Sequence, residues 1–204
     1  MKSDYIVDIV DRKVYSSLLG KHHYLTSISK SFRSGYDYGL LKDVGFLRQC
    51  VGVCIFTSLP VPEIAVGAFG LQRDDQDGLF ELSRLCIHPE IQEDEHCIAS
   101  WFVSRAIKAL RKTTRVRAIL SYADSEFHKG TVYSALGFTY HGLTSAKSDF
   151  LPDGATKVTS RGTGGLDGKW VPRSRKHRYM RVFDNTVKCK WGVVSEAAQD
   201  GEGS

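Results

Sequence analysis

Several groups of residues in this 204-residue chain could do chemistry. Tyr133 carries a phenol, which can donate a proton to a leaving group and be reprotonated afterwards. The same ring could instead pack on Phe138 as an ordinary core aromatic. Asp124 closes a strand-like run, where a parallel sheet collects its functional groups, and suits a metal ligand, a base or the N-cap of the next helical turn. His22 and His23 end a helical stretch, where they would complement the helix dipole. Alternatively His23 and Tyr24 join Asp124 as one imidazole and two oxygen ligands, a set better matched to iron or manganese than to zinc. A basic segment, Lys169-Trp170-Val171-Pro172-Arg173-Ser174-Arg175-Lys176-His177-Arg178-Tyr179, interleaves cations for phosphates with aromatics able to stack on a base. Just before it, Arg161-Gly162-Thr163-Gly164-Gly165 is flexible enough to approach a backbone closely, but it joins no strand to a helix as a nucleotide loop would.

The elements that must hold these groups follow from periodicity. Tyr5–Val10 alternates as a strand, and Asp11 caps a helix with Val14, Tyr15, Leu18 and Leu19 on one face and Gly20 near its end. A polar loop runs to Gly35. Strands are predicted at Tyr36–Leu41, Cys50–Thr57 and Ile64–Phe69, with Pro60 and Pro62 breaking the pattern between the last two. Leu79–Ile87 is a further strand, stopped by Pro89. A helix over Glu95–Lys112 carries Ile98, Trp101, Phe102, Ala106, Ala109 and Leu110 at helical spacing. Val116–Tyr122 returns as a strand, which implies a parallel crossover. Thr131–Leu136 is a short helix ended by Gly137, and Phe138–His141 is the strand after it. Residues 142–175 show no periodicity, His177–Phe183 reads as a late strand, and the chain from Ser195 onward has a disordered composition.

Composition narrows the class. A chain that is 42% hydrophobic can bury a full core as one domain. Residues 1–190 are read as that domain, with a basic, Gly-rich insert at about 142–178 and a flexible acidic tail over 191–204. No apolar run approaches the roughly 18 residues of a membrane span, and the N-terminus lacks a signal-peptide pattern. Five cysteines without a C-x-x-C pair read as reduced thiols of a cytosolic protein. The net charge of +5 is polarised. Residues 1–154 are balanced, whereas 155–191 hold ten Lys or Arg against Asp167 and Asp184. That is a footprint for a phosphate backbone, or a solvated basic face.

Strand, crossover helix, strand, short helix and strand, in that order, resemble the acyl-CoA-binding half of the N-acetyltransferase-like (GNAT) fold. The expected class is therefore α/β, a mixed central sheet flanked by helices. Three blocks resemble something narrower: Leu82-Ser83-Arg84-Leu85, Ser121-Tyr122-Ala123-Asp124 and Gly130-Thr131-Val132-Tyr133. Together they are similar to the phage Mom family of DNA modification proteins. The resemblance implies conversion of adenine in double-stranded DNA to N6-carbamoylmethyladenine, shielding phage DNA from host restriction in the bacterial cytoplasm. It also implies an acetyl-CoA-like donor, an iron requirement, and active-site positions at His23, Tyr24, Arg84, Asp124 and Tyr133. A tyrosine placed like Tyr133 is a common GNAT general acid. The GNAT pyrophosphate loop, R/Q-x-x-G-x-G/A, is absent: Ile91–Ser100 holds no glycine and three successive acids, Glu93, Asp94 and Glu95. The donor contacts expected in its place are Arg84, Ser100, Arg105 and Tyr133. Arg161, Lys169, Arg173, Arg175, Lys176 and Arg178 are the expected DNA contacts, and a homodimer on two-fold-related DNA is compatible with them. Two other readings stay open on the residues: a conventional acetyl-CoA-dependent N-acetyltransferase acting on a small-molecule, protein or RNA amine, and a non-catalytic nucleic-acid-binding protein.

Overall fold

The computed structural model describes residues 2–23, 33–159 and 163–195. Strand β1 (Tyr5–Ile9) is followed by helix α1 (Arg12–His22), capped where the Asp11 side chain accepts from the Lys13 N–H. The Tyr15 hydroxyl donates to the Asp37 carboxylate on β2 (Tyr36–Val44) and ties α1 to the sheet. Strands β3 (Leu47–Ser58) and β4 (Leu79–Ile87) extend an antiparallel meander. After α2 (Pro89–Asp94) and α3 (Ile98–Thr113), β5 (Ala118–Asp124) returns parallel to β4. There follow α4 (Thr131–Ala135), β6 (Thr139–Leu143), β7 (Lys147–Pro152), β8 (Gly168–Arg173) and β9 (Lys176–Val182). Among the described residues the main sheet has seven strands in the order β1-β2-β3-β4-β5-β9-β6, and β7 pairs with β8 in a small sheet of its own.

Both faces of the sheet are covered. Phe102, Ala106 and Leu110, at i, i+4 and i+8 on α3, are fully buried in one cluster with Phe56, Leu82 and Ile119. Each large apolar side chain withdrawn in this way contributes about 1.5–3 kcal/mol. On the other face α1 packs Tyr15, Leu18 and Leu19 against Val53, Ile55 and Cys86, while Phe69 and Val187 cover Leu120 and Met180. No described helix is long and apolar enough to cross a membrane.

The mixed sheet flanked by helices is the α/β architecture expected, with local corrections. Ile64–Phe69 is not a strand: Ala65–Phe69 is a wide helical turn ended by Gly70 at φ 67°. The two prolines upstream take the chain out of the sheet after β3, and a left-handed glycine closes the turn. The helix expected at Glu95–Lys112 is α3, which starts at Ile98, and a short helix not expected, α2, precedes it. Pro89 opens α2 rather than only stopping β4, and Cys97, at φ 58°, resets the chain before α3. Residues 142–175 hold β7 and β8, whose alternation buries little beyond Phe150. β9 lies between β5 and β6. The residues from 196 on, expected to be disordered, lie outside the described part.

Candidate active site

β4 and β5 pair from Leu79↔Ala118 to Leu82↔Ser121 and then part, although β4 runs on to Ile87 and β5 to Asp124. On the other edge of β4, Leu82 faces Phe56 and Arg84 faces Ile55, so Ser83 is the extra residue of a bulge. The bulge re-aims β4 at the point where its parallel partner leaves. Two cavities of about 570 and about 590 Å³ open there, and both are lined by Leu82, Ser83, Arg84 and Tyr122.

The first cavity is reached by α1, α2, α3 and α4. Tyr133 lines it from α4, its ring packed on Phe138 at 5.8 Å and on Tyr179 at 5.2 Å. The Tyr179 hydroxyl donates to the Lys129 carbonyl and fixes the turn that precedes α4. Gly130 in that turn has φ 80°, and a Cβ there would stand 2.6 Å from a Tyr179 ring carbon, so only glycine fits. His23 caps α1, its N–H bonding the Leu19 carbonyl, and its buried ring lines the same cavity. Burial first, then the Arg84 cation and His128, pull its pKa down to about 4, so the imidazole is neutral at pH 7. Arg84 donates to the Ser83 carbonyl at 2.6 Å across the bulge.

The second cavity is walled by Pro60, Val61 and Ile64, by Glu81 and Tyr122, and by Lys147, Arg173 and Lys176. Burial pushes Glu81 up to about 6 against the pull of Arg84 and Arg33. Burial, reinforced by Glu81 and opposed by Arg178, raises Tyr122 to about 12. Glu81 is the one carboxylate that lines either cavity among the described residues. Asp124, 2% exposed, accepts from Lys176 Nζ, from Ser174 Oγ at 3.1 Å and from the Glu126 N–H at 3.2 Å. Burial raises its pKa, but the hydrogen bonds from Lys176, Glu126 and Ser174 outweigh that and hold the carboxyl below its ordinary value.

The sequence profile of the Mom protein family matches residues 4–197. The chain belongs to the Mom protein family. No curated protein matches it. Among solved structures it is similar to the polyamine N-acetyltransferase of Drosophila melanogaster, with a TM-score of 0.57 and 9% identity over 88% of this chain and 100% of the other. It is also similar to an acetyltransferase of Bacillus subtilis in complex with CoA, with a TM-score of 0.51 and 12% identity over 88% and 99% of the two chains. An N-acetyltransferase of Staphylococcus aureus Mu50 gives a TM-score of 0.51 and 10% identity over 88% and 99%. At such identities the likeness is one of fold, and the fold is that of the GNAT acetyltransferases.

The structure brings three of the Mom-type positions, His23, Arg84 and Tyr133, onto one cavity. Tyr24 and Arg161 lie outside the described residues. Asp124 lines neither cavity and stands behind Lys176, which lines the second. Of the donor contacts expected besides Arg84 and Tyr133, Ser100 bonds the Cys97 carbonyl and Arg105 lies over the Trp101 ring. Gln92 and Ala99 line the cavity from that side instead. Of the DNA contacts expected, Lys169 and Arg173 are exposed on β8. Arg175 is turned to the Thr144 carbonyl, and Arg178 bonds the His141 and Gly142 carbonyls beneath Trp191.

Among the described residues no three His, Cys, Asp or Glu side chains are grouped as metal ligands. The Asp124 oxygens are taken up by Lys176, Ser174 and Glu126. Of the donors expected for iron, His23 lines the first cavity and Asp124 lines neither, so these two do not converge, and Tyr24 lies outside the described residues. Glu81, Ser83, Tyr122 and His128 line one or both cavities and are not among the site residues expected from the sequence. A lone acid inside Leu79-Phe80-Glu81-Leu82 was the available signal, since an unneutralised carboxylate is rare in a buried strand.

Proposed function

We propose that this chain modifies adenine in double-stranded DNA, using an acyl-CoA-type donor to give N6-carbamoylmethyladenine and so protecting phage DNA from host restriction. The observation that carries this reading is the opening at the parted strands, where a chamber holding Tyr133 and Arg84 meets a cation-rimmed cleft. The CoA complex of the similarly folded Bacillus subtilis protein supports a CoA thioester in the first chamber. The acceptor then enters by the second.

The chain's own residues serve the thioester step. A nitrogen nucleophile bonds to the acyl carbon, the C–S bond breaks, and the leaving thiolate takes the phenolic proton of Tyr133. The proton lost by the nucleophile goes to the Glu81 carboxylate. Arg84, shared by both cavities, holds the reacting groups at the bulge, and Asp124 acts through Lys176, which it pins at the acceptor side. The exocyclic amine of adenine is a weak nucleophile locked in a base pair, so the base leaves the helix first, at a cost of a few kcal/mol. Lys169 and Arg173 on β8, with Arg161, contact the DNA backbone on this reading. Acyl transfer alone yields an N-acetyl group. In N6-carbamoylmethyladenine N6 is bonded to the methylene carbon and the acyl carbon to an amide nitrogen, so the complete reaction also takes a nitrogen donor and a two-electron oxidant.

The test is release of free thiol from acetyl-CoA by purified protein. The expected result is release that depends on adenine-containing duplex and falls to background in Tyr133→Phe. Release at the same rate without DNA would contradict the proposal.

A further inference from the structure

The second cavity has a layout that a general basic surface lacks. Its acid is withdrawn, since Glu81 is part-buried within β4, while its cations stand outside, Lys147 and Arg173 being exposed at the paired ends of β7 and β8. The third cation, Lys176 on β9, is held in place by the buried Asp124. Between acid and cations lies apolar material. Pro60 and Val61 are exposed to solvent, Val61 by 46%, and with Ile64 and the Tyr122 ring they line the cleft. An anion-binding rim, an apolar slot and an inner hydrogen-bond acceptor match the phosphate, the ring and the exocyclic amine of an aminated nucleotide. At about 590 Å³ the cleft is within the range of about 300–1,000 Å³ usual for small-ligand sites. It is a receptacle for one nucleotide rather than a groove for a helix.

We infer that the second cavity takes a single nucleotide, with its base between the Pro60–Val61–Ile64 wall and Tyr122. Its exocyclic amine bonds Glu81, and its 5′-phosphate lies on Lys147, Arg173 and Lys176. This rests on the proposed DNA reaction for its biological setting, but the pocket's chemistry is complete without the donor. The pocket therefore binds free 2′-deoxyadenosine 5′-monophosphate. Glu81 is its specificity-determining residue, because a carboxylate accepts from an amine and leaves a keto oxygen unpaired and repelled. Three cations spread over β7, β8 and β9 read the phosphate as a charge.

The test is calorimetric titration of the full-length chain, without donor, with 2′-deoxyadenosine 5′-monophosphate, 2′-deoxyadenosine, 2′-deoxyinosine 5′-monophosphate and inorganic phosphate. The monophosphate of deoxyadenosine is expected to bind, and the nucleoside and the keto analogue each about tenfold or more weakly. Lys147→Gln and Arg173→Gln, both at exposed positions, should weaken the nucleotide and leave the nucleoside unchanged. Glu81→Gln should erase the preference for the amine over the keto group, since its amide serves either. Equal binding of nucleotide and inorganic phosphate means an anion patch only and overturns the pocket. So does equal binding of the amino and keto nucleotides, or no nucleotide binding at all. Nucleotide binding with DNA left unmodified in vivo would remove the reaction and keep the pocket. Modified DNA with no amino preference would do the reverse.

Discussion

Glu81→Gln should make the protein more stable at neutral pH, which is unusual for a residue placed at an active site. The Glu81 carboxyl titrates at about 6 in the folded chain against an ordinary 4.5, because burial outweighs the attraction of Arg84 and Arg33. A folded value above the unfolded one means that the protonated form is the one folding favours. Its stabilisation is complete below about pH 4.5 and is lost as pH rises through about 6. At about 1.4 kcal/mol for each tenfold change, ionising Glu81 costs the folded protein about 2 kcal/mol by pH 8. Glutamine keeps the shape and never ionises. The variant should match the parent at pH 4 and exceed it by about 2 kcal/mol at pH 8, or about 4–8 °C in melting temperature for a chain of this size. Urea unfolding at both pH values, with equal m-values, measures this directly, and every other titrating group cancels between the two proteins. A parent–variant difference that stays flat with pH would show that Glu81 is not desolvated, and its proposed contact with an amine would go with it. Activity should rise through the same pH range in the parent, as the carboxylate becomes available.

Other expectations concern single side chains. Tyr133→Phe keeps the ring packing on Phe138 and Tyr179 and removes the proton donor, so turnover should fall by about 10²–10⁴-fold with duplex affinity and melting temperature unchanged. Gly130→Ala puts a Cβ 2.6 Å from Tyr179 at a φ of 80°, and should cost at least about 1–3 kcal/mol in urea melts. Lys176→Met leaves the Asp124 carboxylate buried without its ion pair and should cost about 1–3 kcal/mol at pH 7. In the parent, Asp124 titrates below its ordinary value, so its stabilisation is present above about pH 3.8 and lost as pH falls further. Lys176→Met should remove most of that acid dependence in unfolding curves taken down to low pH.

The parts of the fold legible in the sequence are those with a period to read. The 3.6-residue stripe of α3 and the apolar runs of β3, β4 and β5 were visible because each faces a core on at least one side. β7 and β8 were not, since a two-stranded sheet that buries little beyond Phe150 leaves almost no apolar alternation. The wide turn at Ala65–Phe69 was read as a strand because five apolar residues in a row carry no period of their own. Site residues divided in the same way. Arg84 and Tyr133 were found through the wording of their blocks, and both line the first cavity. The position of Asp124 behind Lys176 depends on β9 entering the sheet beside β5, a long-range pairing that local pattern does not encode. The bulge at Ser83 is likewise a matter of register between β3 and β4. The burial of Glu81 depends on the strands on both sides of β4, which local pattern does not encode either.

Adenine in DNA is the proposed acceptor, and mass spectrometry of nucleosides tests that most directly. Plasmid DNA would be recovered from bacteria expressing the parent chain or Tyr133→Phe, digested, and compared. The predicted result is a new deoxyadenosine species heavier by a carbamoylmethyl group in the parent sample and absent from the variant. Unmodified deoxyadenosine beside folded protein, or an equal yield from Tyr133→Phe, would contradict it.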